Sequence, residues 1–465
     1  MEKISHPVIS KGEYSEYVLP PSELFGEVGD LFYESLENIK RATTDLINTL
    51  KQYKIPAKFS SGSFGLRLNH FILIPESGED IELLIEKISL VMPELTRIWA
   101  SKSQIHLDVP KYYSGSPVNL ANIINDDDWI NCDFALPIPI GISGDSVNET
   151  VILDLAELKH VIIGGQTGSG KSVLMNSIIA GLLNKFSPDE VRFIMADLKM
   201  VEFDHLKNLP HLQFPIANST EETLNLLLWT KDEIKKRLSL FIQENVKNIT
   251  EYNASHNEKI PRIVFFIDDL ADLILDSSLS KHLESAVYDI AGLKIDCGIH
   301  LIVSTQRPSK TVITEHLKKF IPARIAFKVS SYYDSRVVLD TDGAGKLFGH
   351  GDMLIKVPGK TDLLRVQGAW IPDPLIQPLV DHICKLPKAP DPMMQKINDM
   401  AVADVSPEIR QYLRPDDTQG FLEAVKFVIA TGKMGVSYLQ RNLHISYNRA
   451  AEYMDLLRER GVIKN

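Results

Sequence analysis

Two hydrophobic rhythms divide the chain. Near the start, Leu36, Ile39, Thr43, Ile47 and Leu50 recur at helical spacing, and Ile81–Val91 repeats that period. Between and after them, Leu66–Ile74 and Ile105–Val109 are alternating or continuous apolar runs of the kind that form strands. Helix, strand, helix and strand in this order predict a small α+β domain ending near Ile124, entered through an irregular arm that reaches Pro20-Pro21. The acidic run Asp126-Asp127-Asp128 and the proline-broken Leu136-Pro-Ile-Pro-Ile140 lead out of it. From about residue 133 the rhythm changes. The short β-branched runs His160–Ile163, Val191–Ala196, Ile263–Ile267, His300–Ser304 and Ile325–Val329 alternate with longer helical segments. Such alternation predicts βα units around a parallel sheet, hence an α/β fold.

The remaining pattern completes a five-part organisation: an arm over 1–19, a small α+β domain over 20–132, a large α/β domain over 133–380, a linker over 381–418 and a helical module over 419–465. In that last module Phe421–Ala430, Ser437–Leu443 and Tyr447–Arg458 are three helical patterns, the second and third joined by the tight His444-Ile-Ser446. This is a helix-turn-helix arrangement. It puts Tyr447, Asn448 and Arg449 at the start of the recognition helix, where they reach base edges, while Lys433 and Arg441 are placed to meet phosphate. A three-helix module that docks only on protein is the alternative reading.

Composition narrows the setting. No run of about eighteen uncharged apolar residues offers a membrane span, and no apolar run follows the first residues as a signal peptide requires. Cys132, Cys297 and Cys384 are odd in number, far apart and without ligand spacing, which fits free thiols in a reducing compartment and a cytoplasmic protein. The net charge of −11 argues against a protein that coats nucleic acid all over. Its distribution is uneven: residues 419–465 hold seven Lys or Arg against four Asp or Glu, a charge of +3 that leaves −14 for the rest. The tail is the expected DNA-facing part.

The chemistry concentrates after one strand. Gly165-Gln166-Thr167-Gly168-Ser169-Gly170-Lys171-Ser172 matches the P-loop pattern between the apolar strand Val161–Ile163 and the helix Val173–Leu183. Glycines let the backbone curl so that its N–H groups face phosphate, helped by the helix N-terminus. Lys171 reaches the β- and γ-phosphates of ATP, and the Ser172 hydroxyl ligates Mg²⁺. Ile263–Ile267 ends in Asp268-Asp269, with Asp268 expected to hold the metal and Asp269 to polarise the attacking water. The strand before Ser304-Thr305-Gln306-Arg307 presents Gln306 as a γ-phosphate sensor, or else as part of a polar loop capping the next segment. Asp197-Leu198-Lys199 reads equally as a subunit contact or a solvated strand end. Gly343-Ala-Gly-Lys346 lacks P-loop spacing and reads as a loop, and His205, His211, His256 and His300 show no ligand-like pairing.

These pieces resemble the FtsK/SpoIIIE double-stranded DNA translocases. The matching runs are Gly164–Ser172, Val191-Arg-Phe-Ile-Met195, Ile267-Asp-Asp-Leu-Ala-Asp-Leu273, Gly298–Ser309, Ile321-Pro-Ala-Arg-Ile-Ala-Phe327, Ser330–Arg336, Leu339-Asp340 and Gly349–Leu354. The tail segments Val436–Arg441 and Tyr447–Ala451 are similar to that family's C-terminal winged-helix module. The resemblance implies a RecA-like motor behind a small α domain, assembled as a hexameric ring around duplex DNA, with ATP sites between subunits. It also implies a tail that reads a DNA sequence to orient or recruit the motor.

Departures accompany the match. Asp268-Asp269 stands where the family has Asp-Glu, Ile295 stands where an arginine is usual, and Ser446 replaces a glycine. If that arginine is the trans-acting finger, another cation serves, Lys294 or Arg324 being the candidates. The chain stops at Asn465 before a full wing hairpin, so the module is expected to be truncated, and a soluble form lacking the family's membrane-anchoring segment is expected. The resulting expectation is an ATPase that drives DNA translocation. An ATP-responsive DNA clamp with little hydrolysis and a protein-pumping secretion ATPase are the alternatives.

Overall fold

The computed structural model describes residues 17–29, 36–65, 67–111, 118–144, 149–275, 279–385, 435–443 and 447–459, together with Val8, Tyr14 and parts of 421–429 and 462–463. The stretch read as a linker lies outside these from residue 386 on, as do most of the arm and the His444–Ser446 turn. The chain divides into two compact units, Met1–Lys388 and Ala389–Asn465.

The first unit holds two sheets. The small one is antiparallel, in the order β1 (Ala57–Phe64), β2 (Leu68–Pro75), β4 (Gln104–Pro110), β3 (Arg97–Ser101). The helices Leu36–Gln52 and Ile81–Ser89 pack Leu46, Leu50, Leu84 and Ile88 onto Phe71, Leu73, Ile105 and Leu107. The expected order held only half of these strands. β1 carries Ser60, Ser61, Gly62 and Ser63 in its middle, so it shows no apolar run, and β3 is only five residues long.

The large sheet belongs to the α/β class. Its parallel part runs β12 (Ala323–Phe327), β8 (Val161–Gly164), β11 (Ile299–Thr305), β10 (Arg262–Ile267), β9 (Val191–Ala196). Every residue of β10, β11 and β12 is buried, which is why these strands read as unbroken hydrophobic runs: helices cover both faces. Beyond β12 the sheet continues antiparallel through β13 (Asp352–Lys356), β14 (Leu364–Trp370), β6 (Pro137–Ser143) and β7 (Thr150–Asp154), and the short β5 (Val118–Asn119) pairs with the end of β14. The proline-broken run expected as an exit from the first domain is therefore β6, buried along its whole length. Pro139 sits at a bulge in the pairing with β7, where a missing N–H does least harm.

A buried ion network ties the two sheets. Arg365 on β14 donates to Asp352 on β13 (2.7 Å) and to Asp108 on β4 (3.1 Å), and Asp108 also accepts from His70 (2.8 Å). Burial alone raises the Asp108 carboxyl, but the His70 hydrogen bond and the charges of Arg365 and Arg97 outweigh it and hold it below its usual range. The described arm residues are pinned to the motor. Val8 N–H donates to Glu233 (2.8 Å), Tyr14 N–H donates to Asp189 (2.8 Å), and the Tyr17 ring meets His211 edge-on.

In the second unit the helices Val436–Leu443 and Tyr447–Glu459 close around Phe421, Val425, Leu439, Tyr453, Met454 and Leu457. No helix among the described residues is long and apolar enough to cross a membrane.

Candidate functional site

The loop after β8 is built on close approaches. A Cβ on Gly165 would lie 2.7 Å from Phe327 Cβ, and one on Gly170 would lie 2.8 Å from the backbone nitrogen of Gly351. Gly170 also takes φ +121, a region that side chains rarely adopt. The helix Lys171–Lys185 then starts with no side-chain cap, so its first N–H groups face the cleft. Lys171 is buried, and its ammonium donates to the carbonyls of Gly165 (2.8 Å) and Gln166 (2.9 Å). Burial pushes its pKa down, opposed by the charges of Asp268, Asp269 and Glu202. The Ser169 hydroxyl is buried without a hydrogen-bond partner among the described residues.

The acidic strand end lies beside this loop. Asp268 accepts a hydrogen bond from Ser304 Oγ (2.8 Å). Burial pushes its carboxyl up to about 6 against that bond, with Glu202, Asp197 and Asp269 adding repulsion. Asp269 takes φ +47, and its carboxylate accepts from Gln306 N–H (3.2 Å) and Thr305 Oγ1 (3.3 Å) and faces Lys199 (3.5 Å). Gln306 reaches back to the loop, accepting from Thr167 Oγ1 at 2.7 Å. Lys171, Thr167, Gln306, Asp268 and Asp269, far apart in sequence, are thus brought together.

A cleft of ≈ 430 Å³ runs from this cluster toward the antiparallel part of the sheet. Thr167, Gly168, Gly170, Lys171 and Ser172 form one end; Arg67, His350, Gln367 and Trp370 form the other, and Glu202 and Gln306 also line it. Sequence reasoning missed the second group. Only the Gly349–Leu354 run pointed near it, and nothing local marks Arg67 or Trp370. A second cleft, of ≈ 260 Å³, shares Gln306 with the first and adds Gln166, Arg307, Pro308 and Ser330.

Two sequence expectations change. Asp197 is neither a subunit contact nor a solvated strand end: it is buried, and its carboxylate accepts from the backbone of Lys199, Glu202 and Phe203, shaping the turn that carries Glu202. Lys199 leaves that turn to pair with Asp272 (2.6 Å). Arg324 is not free to reach another subunit: it is buried, donates to the carbonyl of Val338 and pairs with Asp340 at 2.6 Å. Lys294 stays exposed.

Of the expected DNA-reading residues, Arg441 is exposed and donates to the carbonyl of Ser437 (3.1 Å) on its own helix. Tyr447, Asn448 and Arg449 open the last helix, with side chains outside the described residues, and Lys433 lies outside them altogether.

Comparison with known proteins decides the lineage. Residues 119–310 match the FtsK/SpoIIIE family model, and residues 416–465 match that of the FtsK gamma domain. The chain belongs to the FtsK/SpoIIIE family. Its relatives include the DNA translocase FtsK of Clostridium tetani, 34% identical over 92% of this chain and 58% of the relative. Another is the DNA translocase SpoIIIE of Bacillus subtilis, 31% identical over 99% of this chain and 60% of the relative. The chain thus spans roughly six-tenths of the length of the curated relatives it matches. Among solved structures, the pCW3 conjugation coupling protein TcpA with ATPγS shares the fold at TM-score 0.53 and 23% identity, covering 74% of this chain and 99% of that one. The cytoplasmic domain of the Thermomonospora curvata secretion ATPase EccC shares it at TM-score 0.51 and 23% identity, covering 60% and 35%.

Proposed function

We propose that the chain is an ATPase that moves double-stranded DNA, working as a hexameric ring oriented or recruited by its C-terminal module. The observation that carries the reading is the convergence of Lys171 and Gln306 on one cleft behind an uncapped helix N-terminus, with the Asp268-Asp269 strand end close enough to act on the Lys171 charge. Similarity to proteins named as DNA translocases over nearly the whole chain supports DNA as the track. The phosphates of ATP lie along Gly165–Ser172, with Lys171 exchanging its two carbonyl partners for phosphate oxygens. Gln306 senses the γ-phosphate, and Asp269 orients water, its carboxylate being fixed by the end of β11.

The donor set suits Mg²⁺: a hydroxyl from Ser172 and a carboxylate from Asp268, whose burial among other carboxylates favours a cation beside it. When bound, the ion neutralises charge that develops on the phosphate oxygens. In a ring, a neighbouring subunit can supply a further cation at the γ-phosphate. Closed symmetry completes every such head-to-tail site. The second cleft, which shares Gln306 with the nucleotide cleft, offers an approach for it, and exposed Lys294 remains a candidate.

One experiment tests the whole reading. ATP turnover, triplex displacement from long duplex DNA and mass by light scattering are followed with duplex and an ATP analogue present. The full chain should hydrolyse ATP faster with duplex, displace the triplex and scatter as about six copies. Lys171→Ala should lose turnover at least ~100-fold. A chain lacking 419–465 should keep duplex-stimulated turnover but lose preference for one DNA sequence. Duplex binding with negligible turnover would favour the ATP-responsive clamp, in keeping with the engaged carboxylate of Asp269. A monomer at full turnover would sink the ring.

A further inference from the structure

The far end of the nucleotide cleft is made by residues that do not belong to the P-loop half. Arg67 enters from the turn between β1 and β2 of the small sheet. Its Nη1 donates to Gln367 Oε1 (3.0 Å) and to the carbonyl of Gly349 (3.4 Å), and its guanidinium lies 5.9 Å from the centre of the Phe348 ring. Nε and Nη2 of the same group make no hydrogen bond among the described residues. Gln367 is held at both ends: while its oxygen accepts from Arg67, its Nε2 donates to the carbonyl of His350 (2.9 Å). The pair therefore holds a half-buried guanidinium plane at the cleft wall with two donor positions still open. The half-buried Trp370 also lines this end.

The floor between the two ends is thin by construction. Gly351 N–H donates to the carbonyl of Ser169 (3.0 Å), and Gly368 N–H donates to the carbonyl of Gly351 (2.8 Å). Gly351 takes φ +89, a backbone region that side chains rarely adopt, so glycine is what lets this turn lie between the P-loop and β14. The cleft is consequently continuous from Lys171 to Arg67.

We propose that this end receives the nucleoside of ATP, and that Arg67 binds it, so that the small antiparallel domain completes the nucleotide site. The proposal rests on the triphosphate lying along the P-loop. With the phosphates at Lys171 and Ser172, the ribose and base extend away from Asp268 and Gln306, and the open direction within the cleft leads to Arg67 and Trp370. The chemistry suits a purine nucleoside: a guanidinium plane and an indole offer faces for stacking, and the free Nε and Nη2 donors suit ring nitrogens or ribose oxygens. Arg67 is a specificity-determining contact in this arrangement, and ATP occupancy is felt directly by the β1–β2 turn.

The test compares ATP with inorganic tripolyphosphate, which carries the phosphates without a nucleoside. Both are titrated with Mg²⁺ into the full chain by calorimetry. Arg67→Ala should weaken ATP about ten-fold or more while leaving tripolyphosphate within about two-fold. Arg67→Lys, which keeps the charge but not the plane, should weaken ATP to an intermediate degree. Retained tripolyphosphate binding also reports that the site is folded. If both variants weaken the two ligands equally, or neither changes ATP affinity, Arg67 only fastens the small sheet to the motor and the proposal is overturned. Lys171→Ala separates the underlying reading: it should lose both ligands, and a wild-type chain that binds neither would remove the P-loop site itself.

Discussion

Asp269 stands at a left-handed backbone position, φ +47, two residues past the end of a strand whose six residues are all buried. That conformation turns its carboxylate toward the end of β11, where Gln306 N–H and Thr305 Oγ1 hold it. A shorter side chain than glutamate is thereby fixed firmly, at the cost of reach. Asp269→Asn keeps an acceptor for those donors but removes the negative charge facing Lys199. Turnover should fall on the order of 100-fold with ATP affinity within a few-fold, read by steady-state hydrolysis and calorimetry. Asp269→Glu should match or exceed the wild-type rate if reach is what limits it. Normal turnover in Asp269→Asn would assign water activation to another carboxylate, Glu202 being the one that lines the cleft.

At the scale of elements, the decisive packing is between the P-loop helix and the antiparallel half of the sheet. Gly181 on the helix Lys171–Lys185 approaches β6 so closely that a Cβ there would lie 2.4 Å from Pro139. On the other side of β6, a Cβ on Gly141 would lie 2.0 Å from the carbonyl oxygen of Gln367. β14 carries Gln367, Gly368 and Trp370, so the strand that braces the helix is paired to the strand that walls the cleft. Gly141→Ala should therefore cost stability, about 2–4 kcal/mol from overpacking a buried strand, and weaken ATP binding as well. Urea unfolding and calorimetry check the pair of effects. A stable variant with unchanged ATP affinity would show that β6 and β14 separate without disturbing the cleft.

None of the antiparallel strands of the large sheet was legible as a strand. Prolines disguised β6, while Arg365, Gln367 and Gly368 interrupt the hydrophobic run of β14. Arg365 and Gln367 are polar because their partners come from elsewhere: Asp108 from β4, Arg67 from the β1–β2 turn and the carbonyl of His350. The parallel strands were legible because their apolar residues run on without a break on both buried faces, as in Ile263–Ile267.

Across the whole molecule, buried histidines make the fold sensitive to acid. Burial, with the nearby charges of His300 and Lys159, pushes His160 down to about 3 despite Asp296. Burial likewise pushes His211 to about 3, although its ring bond to the Phe186 carbonyl works the other way, and it lowers His300. His160 Nδ1 must stay unprotonated to accept from Leu301 N–H (3.0 Å). The unfolded chain binds these protons near pH 6.5 and the folded chain does not, so stability is whole above that value and falls as pH drops toward about 3. Each such histidine costs up to about 1.4 kcal/mol per pH unit in that window. His160→Asn keeps an acceptor for Leu301 and cannot titrate, so it should flatten the slope between about pH 6.5 and 5 by roughly that amount. Urea midpoints at several pH values measure it, and an unchanged slope would mean that His160 is already charged in the folded protein.

What the sequence determined by itself was whatever depends on neighbours along the chain: the P-loop between a strand and a helix, the acidic strand end, the buried parallel strands and the helical periods of the tail. Backbone curvature, phosphate-facing N–H groups and hydrophobic periodicity are local properties, written within a few residues. Only the tertiary structure decided which side chains share the cleft. It committed Arg324 to Asp340, turned Asp197 inward and brought Arg67, Gln367 and Trp370 to one wall from strands and turns far apart in sequence. Their polarity has meaning only beside partners that chain order does not place next to them, because a buried charge or amide is stable where distant elements satisfy it.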